Sequence, residues 1–324
     1  MTPALWPPTA ALIAVVRRRR KNTVLPLLIV AIALIAGFIE PRFWTVDNLV
    51  NLARQIVPLL IISVGQAFAL ISGGLDLALA AVMSLSGVGG TLAMKHSGIA
   101  AGISLMIAIG IVAGLLSGAI IAYFRTTPLV VTLGILSVAQ AGALILSNGT
   151  PIYDVPAGYS QFVGFDSFVG VPWSVWIGAA TALAGWFLLR HTIFGRYVYA
   201  IGSNESAAMK SGVNVRLYKM LVYAVSGLCV AVAAVVLTAW VGSAQPIAAP
   251  DITLQSLAAV ILGGVALTGG RGSMLQVIYG VTMLSMLSNV MNMIGVSTYF
   301  QTLVIGIVII LAVVLDRLRL SESD

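Results

Sequence analysis

The chain has 324 residues, of which 60% are hydrophobic and 8% charged, and its mean hydropathy is +1.06. A soluble domain runs nearer half apolar and a quarter charged, which excludes a soluble enzyme, a DNA-binding domain, a single-anchor receptor and a large extramembrane domain. The net charge of +7 reads as the basic residues of cytoplasmic loops in a membrane protein, not as a nucleic-acid surface.

Residues 1–22, with Pro3, Pro7 and Pro8 ahead of the cluster Arg17–Lys21, read as a basic cytoplasmic leader. A basic cluster before an apolar stretch also describes a secretory signal, but nine further apolar runs follow, so the first helix is read as retained. Apolar runs bounded by charges or turn residues predict helices at about 23–39, 55–72, 77–94, 98–123, 128–146, 173–189, 219–241, 253–268, 274–294 and 298–315. A bilayer crossing takes ~20 apolar residues. The expected fold is therefore an all-α polytopic membrane protein of about ten transmembrane helices. It forms a single transmembrane domain over 23–316, with 317–324 as a cytoplasmic tail.

Charge sets the orientation. With a cytoplasmic N-terminus, 14 of the 17 Lys and Arg fall on the inside and only Arg42, Arg54 and Lys95 fall outside. Such asymmetry is the positive-inside pattern, and it places both termini in the cytoplasm.

Along the chain, Ser72-Gly73-Gly74-Leu75-Asp76-Leu77 joins the second and third predicted spans and carries the one ionisable group near the membrane interior. Two readings stand. Asp76 caps the next helix, a favourable place for a carboxylate on hydrogen-bond and dipole grounds, or it serves transport directly. Gly73-Gly74 lets the backbone break, as interrupted spans do at transport sites. In the fourth span Gly110, Gly114 and Gly118 make a small-residue stripe for close helix packing, within the chain or between subunits. The outer loop 147–172 carries Asp154 and Asp166 and no basic residue. Cys229 is a packing residue with no partner for a disulfide. His96 and His191 fall in different loops on opposite faces, so no metal cluster or histidine triad is expected. A weak likeness between the glycine-rich patches near 73 and 263 is the one hint of two halves.

No phosphate-binding loop or dinucleotide turn occurs, and mid-span ionisable groups that would drive an ion-coupled carrier are nearly absent. The most polar stretch is the inside loop 190–218. There Ser203 is read as an N-cap, Glu205 to Ser211 as a short helix and Gly212 as its stop. Ala207, Ala208 and Met209 give that helix a small apolar face, suited to a protein groove better than to lipid.

The segment Phe194 to Tyr223 resembles the coupling loop of permease subunits of bacterial ABC importers. Within these it is similar to the ribose/xylose-type sugar branch, whose loop runs F-G-R-x-x-x-A-x-G-x-N-x-x-A-A-x-x-S-G-I-x-V. The likeness covers about residues 40–316. It takes in Gly73–Leu77, Thr132-Leu133-Gly134, Ala258 to Gly264, Gly269 to Ser273 and Gly306 to Asp316.

The resemblance implies a non-enzymatic transport subunit of the bacterial inner membrane. It would pair with a second permease copy, identical or not, with cytoplasmic ATPase subunits that bind ATP and magnesium, and with a periplasmic binding protein. No cofactor or metal would sit in this chain, and membrane lipid, not nucleic acid, would surround it. Coupling to the ATPase would fall to Ser203, Asn204, Glu205, Ala207, Ala208, Ser211 and Gly212. The translocation path or its gate would involve Gly73, Gly74, Asp76, Thr132, Gly134, Gly263 and Gly264. Docking of the binding protein is expected at 147–172 and 242–252, through Asp154, Asp166 and Asp251. A monosaccharide is the expected solute. Permeases for nucleosides or branched-chain amino acids share the architecture, and an ion-driven secondary transporter is the rival outside the class.

The chain departs from the family pattern at four places. Ala78-Leu79-Ala80-Ala81 follows Leu77, Gln140-Ala141 stands where Arg-Gly is common, Gln255 where an acid is frequent, and Gln276 where a glycine is common. These departures fit either an unusual solute or a heterodimer whose second permease keeps the standard residues.

Overall fold

A computed structural model describes residues 25–321. The leader with Arg17–Lys21 lies outside the described residues. Helix α1 covers Leu25–Ile39. It is followed by α2 (Val46–Ile71), α3 (Leu79–Ser97), α4 (Ile99–Phe124), α5 (Pro128–Ser147) and the short α6 (Ala157–Tyr159). A two-stranded hairpin of β1 (Ser167–Phe168) and β2 (Val171–Pro172) leads into α7 (Trp173–His191), α8 (Ile193–Ser203) and α9 (Glu205–Lys210). The chain finishes with α10 (Val215–Val241), α11 (Ile252–Gly263), α12 (Met274–Met293) and α13 (Thr298–Ser321).

Local chemistry sets the helix ends. Thr45, Asn214 and Ser273 cap α2, α10 and α12 by accepting backbone N–H bonds. Pro128 opens α5, where its missing N–H costs nothing. Gly242 closes α10 in the left-handed conformation.

Two sets of four helices show matching contacts, within and between the sets. Helix α3 packs on α4 and α5 as α11 packs on α12 and α13, and α10 lies on α3 and α4 as α2 lies on α11 and α12. Helices α2 and α10 meet at the centre and run antiparallel, since Gly65 abuts Ser226 and Cys229 while Pro58 and Leu59 share a cavity with Leu237 and Trp240. The sets α2–α5 and α10–α13 are therefore inverted copies, an arrangement in which interrupted helices meet inside the bilayer. Each copy has a non-helical crossing after its first helix, at 72–78 and at 242–251. The helices that follow the two crossings meet where the Ala80 N–H of α3 donates to Thr253 Oγ1 of α11 over 3.0 Å.

Ten predicted runs correspond to α1–α5, α7 and α10–α13, but their lengths differ. Helices α2, α4, α5, α10 and α12 are each long and apolar enough to cross a membrane, and α7 with α8, bent by 73°, would add a sixth. The span expected at 253–268 is a 12-residue helix, about 18 Å long at 1.5 Å per residue, too short to cross alone. Its predicted second half is instead a glycine turn, because Gly263 packs on the Gln276 carbonyl and Gly264 takes φ +103°. Gly110, Gly114 and Gly118 press α4 onto Gly227, Tyr223 and Met220 of α10, so this stripe packs within the chain. The basic residues separate by end. Arg54 reaches the Phe165 carbonyl and Lys95 pairs with Asp154 at one end, while Arg216 lies over Tyr123, at the end of α4, at the other.

Candidate functional site

The chain turns sharply at Thr192, whose hydroxyl donates to the Leu188 carbonyl and accepts from the Gly195 N–H. This bend swings α8 across the ends of α2 and α10. Phe194 packs between Phe68 and Tyr218, with ring centres 5.9 and 6.1 Å away, and Tyr197 meets Tyr218 edge-on at 4.7 Å. Such aromatic contacts add stiffness beyond their buried area.

Helix α9 follows with one residue between. Its N-cap is Asn204, whose side chain accepts from the Ala207 N–H at 3.0 Å. The predicted cap Ser203 is instead the last residue of α8. Ser211 is the C-cap and Gly212 follows with φ +85°, as the sequence indicates. Glu205 accepts from Lys219 of α10 at 2.6 Å. Ala208 is 6% exposed and packs on Ile201 and Val215. The expected Ala207-Ala208 contact face is thus split: Ala208 holds α9 to the chain, while Ala207 and Met209 face outward.

Three segments cross backbone to backbone beneath α8. The Gly270 N–H donates to the Ile71 carbonyl at 2.8 Å, at the last residue of α2. A Cβ on Gly202 would fall 1.8 Å from that same carbonyl oxygen, and one on Gly269 would fall 2.8 Å from the Gly73 Cα. Only residues without side chains allow this approach. Tyr199 adds a bond from its hydroxyl to the Gly272 carbonyl at 2.8 Å. The end of α8 is thereby fixed both to the crossing 72–78 and to the turn that joins α11 and α12. Gly202 and the Gly269-Gly270 pair are site residues that sequence reasoning did not assign. Their signal was the recurrence of glycine in two of the most polar loops.

Just beyond this junction the crossing re-enters the bundle. Asp76 is 5% exposed; its Oδ2 accepts from the Ser226 hydroxyl at 2.7 Å and its Oδ1 from the Ala78 N–H at 3.1 Å. The Tyr223 hydroxyl donates to the Leu75 carbonyl at 3.2 Å and sits where a Cβ on Gly74 would lie. Asp76 is thus bonded to Ala78, the residue before α3, and to α10, while α3 itself starts without a side-chain capping bond.

The other predicted path residues do not join this cluster. Thr132 is buried and its hydroxyl bonds the Pro128 carbonyl of its own helix, and Gly134 has open space beside it. Gly263 and Gly264 stop α11 and seat it on α12. At the opposite end, Asp154 pairs with Lys95 at 2.5 Å and Asp166 accepts from Gln161 at 2.7 Å. Asp251 precedes α11 without a side-chain capping bond. Paired bonds between Ile152 and Ala244, at 2.8 and 2.9 Å, join the two segments expected to dock the binding protein. Among the described residues, no three His, Cys, Asp or Glu side chains gather in a way that could hold a metal ion.

A family model described as branched-chain amino acid transport system / permease component matches residues 48–313. The ribose import permease protein of Escherichia coli (strain K12) is 34% identical over 297 residues, 90% of this chain and 91% of that protein. The ribose import permease protein of Bacillus subtilis (strain 168) is 38% identical over 88% of this chain and 89% of that protein. The L-arabinose transport system permease protein of Escherichia coli (strain K12) is 33% identical, covering 90% of each.

Proposed function

The chain belongs to the family described as branched-chain amino acid transport system / permease component, and from that premise we propose that it is the membrane subunit of an ABC importer that passes a monosaccharide. It is a transport component, not an enzyme, and ATP hydrolysis belongs to separate ATPase subunits. The sugar assignment is supported by the ribose and arabinose relatives, each about as long as this chain. Nucleosides and branched-chain amino acids are not favoured by those relatives, and an ion-driven carrier would need mid-span titratable groups beyond Asp76, which accepts from Ser226 and the Ala78 N–H.

In the reading we favour, ten segments cross the bacterial inner membrane, α11 completing its crossing with the extended stretch 242–251. Both termini then face the cytoplasm, with the basic leader and the tail flanking one membrane domain. Two such subunits pair. ATP and magnesium bind the ATPase, and none is held here.

The observation that carries the mechanism is the fastening of α8 and α9. Helix α9 exposes Ala207 and Met209, while Ala208, Glu205–Lys219 and the aromatic contacts of α8 hold it to α2 and α10. A partner gripping the exposed side would move α9 and α8 as one body. The glycine junction would pass that movement to the 72–78 crossing and to the α11–α12 turn. Ser203, Asn204, Ser211 and Gly212 shape this lever. The segments around Asp154, Asp166 and Asp251 receive the binding protein on the opposite face.

The test uses the permease reconstituted with its ATPase. Ala207→Arg should cut ATPase capture and ATP-driven sugar uptake at least tenfold without lowering the melting temperature. Ala208→Arg should lower the melting temperature as well, since it places a charge in a buried site. Undiminished capture in Ala207→Arg would show that α9 is not the coupling element.

A further inference from the structure

Helices α4 and α5 are each long and apolar enough to cross a membrane, and most of their length lies open to the outside of the bundle. Between them, against α3, runs a groove of about 360 Å³. Its lining side chains are all apolar, Leu85, Leu105, Val112, Leu116, Ile135 and Val138 among them. Val112 and Leu116 are each 53% exposed. The faces of α4 are divided by its periodicity. Gly110, Gly114 and Gly118 press on α10, whereas Leu105, Val112 and Leu116 recur at helical spacing along the groove. Open apolar surface of this kind marks a contact with lipid or with another protein.

The charges at one end of the groove decide between the two. The face that carries Val112 and Leu116 continues, two turns on, to the exposed Tyr123. Arg216 of α10 lies over the Tyr123 ring, 6.0 Å from its centre, and Arg125 ends α4 with φ +53°. Both arginines are exposed, and neither makes an ion pair among the described residues. A second copy of the chain, seated on the groove by a two-fold axis along the membrane normal, would set these arginines against their own copies. An anionic lipid would neutralise them, as basic pockets between membrane helices do for acidic headgroups.

The dimensions suit one acyl chain. Leu116 and Val112 lie about 10 and about 16 Å along α4 from Tyr123, at 1.5 Å per residue. One leaflet of a ~30 Å hydrocarbon core is about 15 Å deep. A chain whose headgroup stands at the arginines therefore reaches the near half of the groove.

We propose that the groove between α4 and α5 binds one anionic phospholipid, with an acyl chain along Leu116, Val112 and Ile135 and the phosphate on Arg125 and Arg216. Guanidinium groups suit this role because their planar donors match phosphate oxygens in pairs. The lipid belongs to the leaflet at the Arg125 end, the cytoplasmic one in the orientation favoured above. Helix α10 also carries Lys219, which holds Glu205 of α9. The bound lipid thus joins α4 to the helix that anchors α9.

The test uses the full chain assembled with its ATPase in phosphatidylcholine bilayers. A fluorophore is attached at Val112→Cys in a Cys229→Ala background, and lipids brominated in mid-chain serve as quenchers. Brominated phosphatidylglycerol should quench as if bound about tenfold more tightly than brominated phosphatidylcholine, the scale expected of two basic groups beside an anionic headgroup. Arg125→Gln/Arg216→Gln should bring the two lipids level. Sodium phosphate should reduce the preference no more than sodium chloride of equal ionic strength. Leu116→Cys gives the same readout from the next turn should Val112→Cys fail to fold. Equal quenching by both lipids in the parent would overturn the proposal, as would a preference that survives the double arginine variant. Absence of quenching by either lipid would show that protein, such as a second copy, covers the groove. Displacement specific to phosphate would mark a site for free anions. These measurements read lipid binding alone, so failure of ATP-driven uptake would overturn the transport reading without touching this one.

Discussion

The two non-helical crossings are related by the inverted repeat, yet they are built differently. Around 72–78, the backbones of three segments touch through Gly73, Gly202, Gly269 and Gly270, and the polar atoms of Asp76 are fully partnered. Around 242–251 the chain lies between two cavities, carries Ala249 at φ +42° and is tied to its neighbours by a few bonds, from Ile152, Gln140 and Ser84. Close-packed interiors transmit displacement, whereas sparsely tethered segments open at low cost. One copy of the motif is closely packed backbone to backbone, and its inverted counterpart is flanked by cavities.

Substitutions can break this contrast, beginning with the largest effect. Gly202→Leu would drive a side chain into the Ile71 carbonyl. It should leave no assembled, transport-active protein, with a loss beyond about 4 kcal/mol. Gly134→Ala, where nothing lies within 4 Å, should be neutral or slightly stabilising, by up to about 1 kcal/mol. Thermal melting of the two purified variants compares a glycine that packing requires with one that it does not.

Asp76→Ala should cost roughly 1–3 kcal/mol, because Ser226 and the Ala78 N–H lose their acceptor in a buried setting. Asp76→Asn keeps an acceptor for that N–H and should melt closer to the parent while retaining uptake. Full stability with abolished uptake in Asp76→Asn would move this residue from structural tie to transport group.

Asn204→Ala should weaken α9 by about 1 kcal/mol and reduce ATPase stimulation, with Ser203→Ala within about 0.5 kcal/mol of the parent. Equal effects would restore Ser203 as the cap. The smallest change is expected from Asp154→Asn, since its pair with Lys95 is largely exposed and such pairs contribute about 0–1 kcal/mol. Its readout is the affinity for the binding protein, measured beside the melting temperature.

Much of the helical plan was legible because hydropathy periodicity and turn residues mark where helices run, and most predicted runs match an observed helix within a few residues. The exceptions have physical reasons. Helix α2 begins at Val46, nine residues before its predicted start, because Thr45 caps a polar first turn whose Asp47 and Asn48 look like loop. Helix α11 stops at Gly263 because the close approach of Gln276, a tertiary contact, decides where it ends. The α9 lever was visible in its cap and stop residues, but the inward turn of Ala208 depends on Ile201 and Val215, which no local pattern ties to it. Gln140 and Gln255, which first stood out as departures from a family pattern, proved to be a tether of the 242–251 crossing and part of a cavity wall.

The account turns on whether movement of α9 drives passage of a sugar. The most direct measurement is ATP-dependent uptake of labelled D-ribose by proteoliposomes holding this chain, its ATPase and its binding protein, with the parent and Ala207→Arg compared at equal insertion. Uptake that requires ATP and falls at least tenfold in the variant is the expected result. Uptake that persists without ATP, or that Ala207→Arg leaves intact, would contradict the account.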